Sequence, residues 1–328
     1  MSVSRERLLG LATESGFRPE ILEKVIRLGE ILADIGRHPL LSGALALKGG
    51  TALNLFFGPP ARLSVDLDLN YIAGAERTVM LRDRPDVERA IAQVARGRGY
   101  RLQWSREEHA GRKAFLGYPG AAGTPDRIEI DLNFLFRVPL ATVQNLAMWQ
   151  PGDLERPETP VVGFEELAAG KLSALLDRAL PRDLFDTIGL PERARATWGT
   201  RRFRRLFIAI AGILDHPLHD YGHDRLDRVT DTVVSEQLHP MLIRGNEPGA
   251  SELRAGAWSV VAPLLDLDDA EREYTDRLQV GELRPDLLFP DDAEMADRLA
   301  RHPALLWKAQ NARQHAARKA DGRPRSKV

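Results

Sequence analysis

The sequence predicts an α+β fold in which a first half containing strands is followed by a mainly helical second half. Residues 63–72 alternate apolar and polar side chains, which is the period of a half-buried strand. From Phe164 onward, apolar residues recur almost entirely at helical spacing. The boundary predicts two domains, residues 1–160 and residues 161–328. Three further segments carry strand patterns joined by polar turns: 100–104, 114–118 and 127–136.

Composition excludes several classes of protein. The 328 residues include no cysteine, so disulfides and thiolate metal sites are excluded. A hydrophobic fraction of 43% with 28% charged residues is typical of a globular protein. No apolar run approaches the roughly 20 residues of a membrane span, so we expect a cytoplasmic protein without a membrane partner. Because the formal net charge is −1, binding of a polyanion would depend on local basic patches.

Local signals also predict the helices and the linker next to these strands. Residues 4–41 have helical periodicity that is broken at 16–19, where Gly and Pro occur together. Residues 86–96 predict a second amphipathic helix, closed by glycines. Residues 146–160 are rich in Pro and charge and lack periodicity, so they predict a linker.

A glycine pair precedes the first short helix of the core. Lys48 ends an apolar run, and Gly49 and Gly50 follow it, so the backbone there can approach a ligand closely. Thr51 is a suitable N-cap for an apolar helix over residues 52–57. Free N–H groups at such a helix N-terminus favour phosphate binding.

Carboxylates share one face of the predicted strands. Asp66 and Asp68 are two residues apart on one strand, about 6.5–7 Å at Cα, so both can reach one divalent cation. Asp131, or alternatively Glu129, repeats the pattern on another strand and could bridge two ions about 3.5–4 Å apart. An exposed acidic strand face is the simpler alternative.

A second charged motif lies at residues 165–190. Pro181 is predicted to break this helix, so that Asp183 and Asp186 begin a new one. The motif also contains three cationic side chains, which would suit the binding of a triphosphate, although a salt-bridged amphipathic helix is the alternative. They are spaced seven and four residues apart on a face away from the leucine stripe: Lys171, Arg178 and Arg182.

These motifs together resemble a known family. Gly-Gly-Thr followed by Ser-Val-Asp-Leu-Asp on an alternating strand resembles the signature of the DNA polymerase beta-like nucleotidyltransferase superfamily. Within it, KGGTALNLFF with RLSVDLDLNY is similar to the AbiEii/MenT group of bacterial toxin nucleotidyltransferases, and KLSALLDRALPRDLFD is similar to their second motif. PALLWKAQNA looks like the closing segment of that family.

The resemblance implies a fold, a reaction and partners. It implies a polymerase-beta-like core, a small mixed sheet flanked by helices, followed by a mainly helical domain. The expected reaction transfers a nucleotide from an NTP to an acceptor, for some members the 3′ end of tRNA, with Mg²⁺ at a two-ion site or with Mn²⁺. A cognate antitoxin is the expected protein partner. A protein or small-molecule hydroxyl as acceptor, or a non-catalytic binding module, are the alternatives.

The resemblance also assigns roles to residues. Asp66, Asp68, Lys171 and Asp186 are the expected catalytic residues, and Asp131 joins the first two as a metal ligand. The expected nucleotide-binding residues are Lys48, Gly49, Gly50, Thr51, Ser64, Arg178, Arg182 and Asp183.

Other charged segments remain open. Arg201 to Arg205 could be a nucleic-acid patch or the solvated end of a helix, and 266–269 predicts a helix N-cap. The polar loop at 215–224 is interpreted as a capping region. The C-terminal segment is a candidate RNA contact through its cations: Lys308, Arg313, Arg318, Lys319, Arg323, Arg325 and Lys327.

Overall fold

The computed structural model describes residues 3–320, which fall into two compact units. Among these residues, the first unit comprises 3–167 and Asp231–Gly249, and the second comprises Ala168–Thr230 and 250–320. Among the described residues, no helix is both long and apolar enough to cross a membrane.

The first unit is built on a mixed sheet. Within the described residues it has seven strands in the order β3-β4-β5-β2-β1-β7-β6. The β2–β5 and β1–β7 pairs are parallel, and the remaining neighbours are antiparallel. The strands are β1 Leu45–Lys48, β2 Asp66–Tyr71, β3 Arg101–Trp104, β4 Gly111–Pro119, β5 Pro125–Asn133, β6 Gln144–Ala147 and β7 Glu158–Val161.

Helices cover this sheet and make up most of the second unit. Short 3₁₀ turns occur at Leu218–Asp220, His223–Leu226, His239–Met241, Ala262–Leu264 and Pro285–Leu287. The helices are α1 Arg5–Ser15, α2 Pro19–Arg37, α3 Leu41–Ala44, α4 Gly49–Phe56, α5 Arg77–Gly97, α6 Phe164–Arg178, α7 Pro181–Ile188, α8 Leu190–Arg193, α9 Arg201–Ala211, α10 Asp231–Gln237, α11 Ala250–Val261, α12 Asp269–Gln279, α13 Ala293–Ala300 and α14 Pro303–Ala320.

The alternating strands bury one face and leave acids on the other. Leu67 and Leu69 are 0% and 1% exposed, and Ile130 is 1% exposed, within the same core cluster as apolar residues of α2 and α5. Asp66 and Asp68 alternate with these leucines, point to the opposite face and are half-buried. The hydrophobic pattern therefore fixes which side of the sheet carries the carboxylates.

Several predicted boundaries are confirmed. Gly16 ends α1 in the left-handed conformation, with φ of 75°, and Pro19 occupies the start of α2. Pro181 likewise opens α7. Asp268 caps α12 by accepting a hydrogen bond from the Glu271 amide, while the Glu271 carboxylate accepts one from the Asp268 amide.

Two predictions about elements are wrong. The second amphipathic helix begins already at Arg77, and Pro85 lies inside it. Residues 146–160 are not a linker, because β6 and β7 pair there as an antiparallel hairpin that extends the sheet. Each of these strands has only four residues, which is too few for a period to show in the sequence.

Candidate active site

A row of four charged residues crosses the middle of the sheet. The register pairs Lys48 on β1 with Asp68 on β2, Asp68 with Asp131 on β5, and Asp131 with Lys113 on β4. Residues paired in this way point to the same face of a sheet. The order across the four strands is therefore cation, carboxylate, carboxylate, cation.

A second pair of carboxylates lies next to this row on the same face. Asp66 is paired with Glu129 across β2 and β5. The Nζ atom of Lys113 forms an ion pair with Glu129 and lies 3.5 Å from Oδ2 of Asp131. Lys113 thus binds the two carboxylates that β5 presents on this face, whereas Asp66 and Asp68 lie on the neighbouring strand.

The pKa of Asp131 reflects this setting. Burial raises the pKa of its carboxyl group above the ordinary value, and the nearby carboxylate of Asp68 acts in the same direction. The ammonium groups of Lys113 and Lys48 oppose this increase without cancelling it. Burial alone would lower the pKa of Lys113, but Glu129 and Asp131 raise it above its usual value. The four groups are therefore close enough to influence one another's protonation.

The first turn of α4 approaches Asp68 at a glycine. Gly49 has φ of 73°, and a Cβ atom there would lie 2.8 Å from Cγ of Asp68 and closer still to its Oδ2. A Cβ on Gly50 would lie 3.0 Å from Oγ of Ser64. The glycine pair therefore lets the helix N-terminus pack directly against Asp68 and Ser64.

Thr51 is not the N-cap that the sequence predicted. Lys48 occupies the N-cap position without a side-chain hydrogen bond, and α4 begins at Gly49. The fully buried Thr51 hydroxyl instead donates a hydrogen bond of 2.5 Å to the carbonyl of Asp66. This bond connects α4 to the strand that carries the carboxylates.

Two site residues were not singled out from the sequence. Lys113 was missed because its place opposite Asp131 depends on the β4–β5 hairpin, whose last pair joins Pro119 to Pro125. Counting back from that turn would have placed Lys113 beside Asp131. Arg62 is 1% exposed and donates to the carbonyl of Leu63. Its position two residues before Ser64 was the available signal.

The donor set of this face fits a hard divalent cation. Asp66 and Asp68 supply oxygen atoms only, and Mg²⁺ commonly takes one or two carboxylates together with substrate phosphates. Within residues 3–320, no group of three or more His, Cys, Asp or Glu side chains is placed to hold a metal ion. The predicted third ligand, Asp131, is in contact with Lys113.

The second charged motif forms a buried network within the second unit. Lys171 on α6 donates to Oδ1 of Asp183 at 2.9 Å and lies 3.0 Å from Oδ2 of Asp186, both on α7. The Lys171 side chain is only 7% exposed, and the two carboxylates are 1% and 0% exposed. Arg178 donates two hydrogen bonds to Asp183. Arg182 lies on α7 and is partly exposed.

This network controls the ionisation of Asp183. Burial by itself would raise the pKa of this carboxyl group, but Lys171 and Arg178 hold it below its ordinary value. The chain reverses between the two helices at Ala179, whose φ of 45° is in the left-handed region. That turn brings the cations of α6 to the carboxylates of α7.

The other basic segments are largely engaged within the second unit. In α9, Arg202 pairs with Asp292, Arg204 pairs with Glu271, and Arg205 is buried. Lys308 on α14 donates to the carbonyl of Leu214, and burial lowers its pKa. Three of the four arginines between Arg201 and Arg205 are therefore ion-paired or buried within the second unit. Three cations of the C-terminal candidate lie outside the described residues: Arg323, Arg325 and Lys327.

The family match defines the class of protein, a nucleotidyltransferase. Residues 30–217 match the family model described as "Nucleotidyl transferase AbiEii toxin, Type IV TA system", and the chain belongs to this family of toxin–antitoxin nucleotidyltransferases. The resemblance inferred from the motifs is thereby confirmed.

Similarity in structure extends over most of the chain. MenT4, a nucleotidyltransferase toxin from Mycobacterium tuberculosis H37Rv, matches with a TM-score of 0.58 over 89% of this chain and 98% of MenT4. Sequence identity is 18%, so this likeness concerns the fold. It confirms the predicted α+β class with a mixed sheet and a mainly helical second part. No curated protein matches the sequence.

Proposed function

We propose that this protein is a toxin that transfers a nucleotide from an NTP to the 3′ end of tRNA in the cytoplasm, releases pyrophosphate, and is restrained by a cognate antitoxin. The observation that carries the proposal is the contact of Gly49 with Asp68. This close approach supports the proposal, because a helix N-terminus favours phosphate and the neighbouring carboxylates suit Mg²⁺.

The chain's own groups have distinct tasks in the reaction. The backbone N–H groups of Gly49, Gly50 and Thr51 bind phosphate oxygens, with Ser64 and Lys48 beside them. Asp66 and Asp68 would hold Mg²⁺, which when bound would offset phosphate charge and lower the pKa of the attacking hydroxyl. The acceptor oxygen bonds to the α-phosphorus, the bond from the α-phosphorus to the bridging oxygen breaks, and pyrophosphate leaves. The hydroxyl proton passes to a carboxylate or to solvent.

The motif on α6 and α7 supplies further proposed roles. Lys171 and Asp186 are proposed as catalytic residues, and Arg178, Arg182 and Asp183 as nucleotide-binding residues. The support is the match of these positions to the second family motif. The ion pairs of Lys171 with both aspartates fix its ammonium group in one place, which is what a positioned cation requires.

The test is a transfer assay with defined acceptors. Purified protein is incubated with Mg²⁺, total RNA and each of the four labelled NTPs in turn. We expect label in the tRNA fraction, and none when the 3′-terminal diol has first been destroyed with periodate. Asp66→Asn should abolish labelling, because one carboxylate of the β2 pair is lost. Asp126→Asn is the matched control, because Asp126 lies on β5 and pairs with Lys24 away from the carboxylate row.

The assay also separates the alternatives. Label that remains on periodate-treated RNA would contradict 3′ transfer. Label on protein, or on a small molecule with RNA unlabelled, would replace tRNA with that acceptor while retaining the nucleotidyltransferase.

A further inference from the structure

Lys113 occupies the part of the site where a second metal ion would need its ligands. Its ammonium group contacts both Glu129 and Asp131, the two carboxylates that β5 contributes to this face. A two-ion site holds its ions about 3.5–4 Å apart through a bridging ligand. A cation already seated on Asp131 competes directly with a metal ion for that ligand.

The charge of two adjacent rows of paired residues on this face corresponds to a single divalent ion. These two rows hold four carboxylates, from Asp66, Asp68, Glu129 and Asp131, and two lysines, Lys48 and Lys113. Arg127 on β5 and Arg101 on β3 lie in the next row of the same face. The two lysines offset two of the four negative charges. The remaining excess equals the charge of one divalent cation.

We propose that this enzyme binds one catalytic divalent ion, on Asp66 and Asp68, and that Lys113 replaces the second ion by holding Glu129 and Asp131. The inference rests on the proposed function, in which the β2 carboxylates are the metal ligands. Lys113 is then a positioning residue, because its ammonium acts on the reaction through Asp131.

A purely structural ion pair is the simpler role for Lys113. Its side chain is 47% exposed, and exposed ion pairs contribute at most about 1 kcal/mol to stability. A structural role predicts that removing the charge leaves metal binding unchanged. The proposal predicts that removing it creates a second metal site, so the number of bound ions distinguishes the two.

The experiment counts Mn²⁺ ions bound to the full-length protein without nucleotide. Bound Mn²⁺ is measured by electron paramagnetic resonance and by equilibrium dialysis, for the unaltered chain and for Lys113→Met, which keeps the side-chain length without the charge. We expect one ion per chain before the change and two after it, with the spin coupling of a close ion pair. Lys113→Arg should retain one ion, and adding Asp131→Asn to Lys113→Met should restore one.

The matched control is Lys24→Met, which removes a lysine paired at 2.8 Å with Asp126 at the start of β5. It should leave the count at one. Two ions on the unaltered chain, no ion, or one ion on Lys113→Met would each overturn the proposal. If Lys113→Met does not fold, Lys113→Gln serves for the same count. The outcome is independent of the transfer assay: absent RNA labelling with one bound ion refutes the proposed function alone, and labelling with two bound ions refutes this inference alone.

Discussion

Replacing Gly49 with alanine should damage the active site more than the fold. The added Cβ would lie 2.8 Å from Cγ of Asp68, whereas ordinary contact begins at 3.4 Å, and Oδ2 is closer still. The carboxylate must therefore move by roughly 1 Å, and a misplacement of that size can cost about 100-fold in rate. The left-handed backbone adds about 1–2 kcal/mol of strain.

Gly99 provides a control for that strain. Its φ of 75° matches the 73° of Gly49, but no atom lies within 4 Å of a Cβ built there. Gly99→Ala should lower the free energy of unfolding by a similar 1–2 kcal/mol and leave nucleotide transfer unchanged. Urea unfolding and labelled-NTP incorporation measure the two effects. A folded Gly49→Ala protein that transfers nucleotide at a rate close to that of Gly99→Ala would show that the close approach of Gly49 to Asp68 is not needed for transfer.

Three further predictions concern the charged residues. Asp66→Ala should abolish nucleotide transfer. It should change the free energy of unfolding by less than about 1 kcal/mol or increase it, because the carboxylates repel one another when no metal is bound. Transfer by this variant would contradict the assignment of Asp66 as a catalytic residue. Lys171→Met should lower the free energy of unfolding, measured in urea, by about 3–5 kcal/mol, because two buried carboxylates lose their cation. Unchanged stability would contradict the buried network. Lys171→Arg should restore stability more fully than it restores nucleotide transfer. The pKa of Asp183 is lowered on folding, so its stabilisation is complete above its ordinary pKa of 3.8 and is lost as the pH falls below it. The pKa of Asp131 is raised on folding, so its charged form is disfavoured in the folded state and Asp131→Asn should increase stability at neutral pH. Unfolding of Asp183→Asn and Asp131→Asn, followed as a function of pH, measures the loss of stability expected for the first variant and the gain expected for the second.

The sequence predicted the parts of the site that depend on short spacing. Asp66 and Asp68 share a face because a strand has a period of two, and the break before α7 follows from Pro181. The role of Thr51 was mispredicted, because its hydroxyl partner, the Asp66 carbonyl, is supplied by another element. Propensity at one position cannot reveal such a partner.

Contacts between strands could be predicted only where a turn fixes the register. Lys113 meets Asp131 because β4 and β5 are joined by a short turn with pairs continuing from Pro119 and Pro125. The neighbour of Asp131 on its other side, Asp68, is reached through a parallel pairing with no connecting hairpin. Sequence spacing cannot specify that register, since the crossover between parallel strands is long.

The two lysines that hold carboxylate pairs differ in how their charge is used. Lys171 is 7% exposed, and its partners are almost fully buried, so the charges of this network cannot separate without leaving an ion uncompensated. Lys113 is 47% exposed, so its ion pairs contribute little to the stability of the fold. The first lysine therefore maintains a fixed arrangement of α6 and α7, whereas the second can be removed by substitution without loss of the sheet. This difference is why removing Lys113 can change metal binding in a folded protein, whereas removing Lys171 must also change stability.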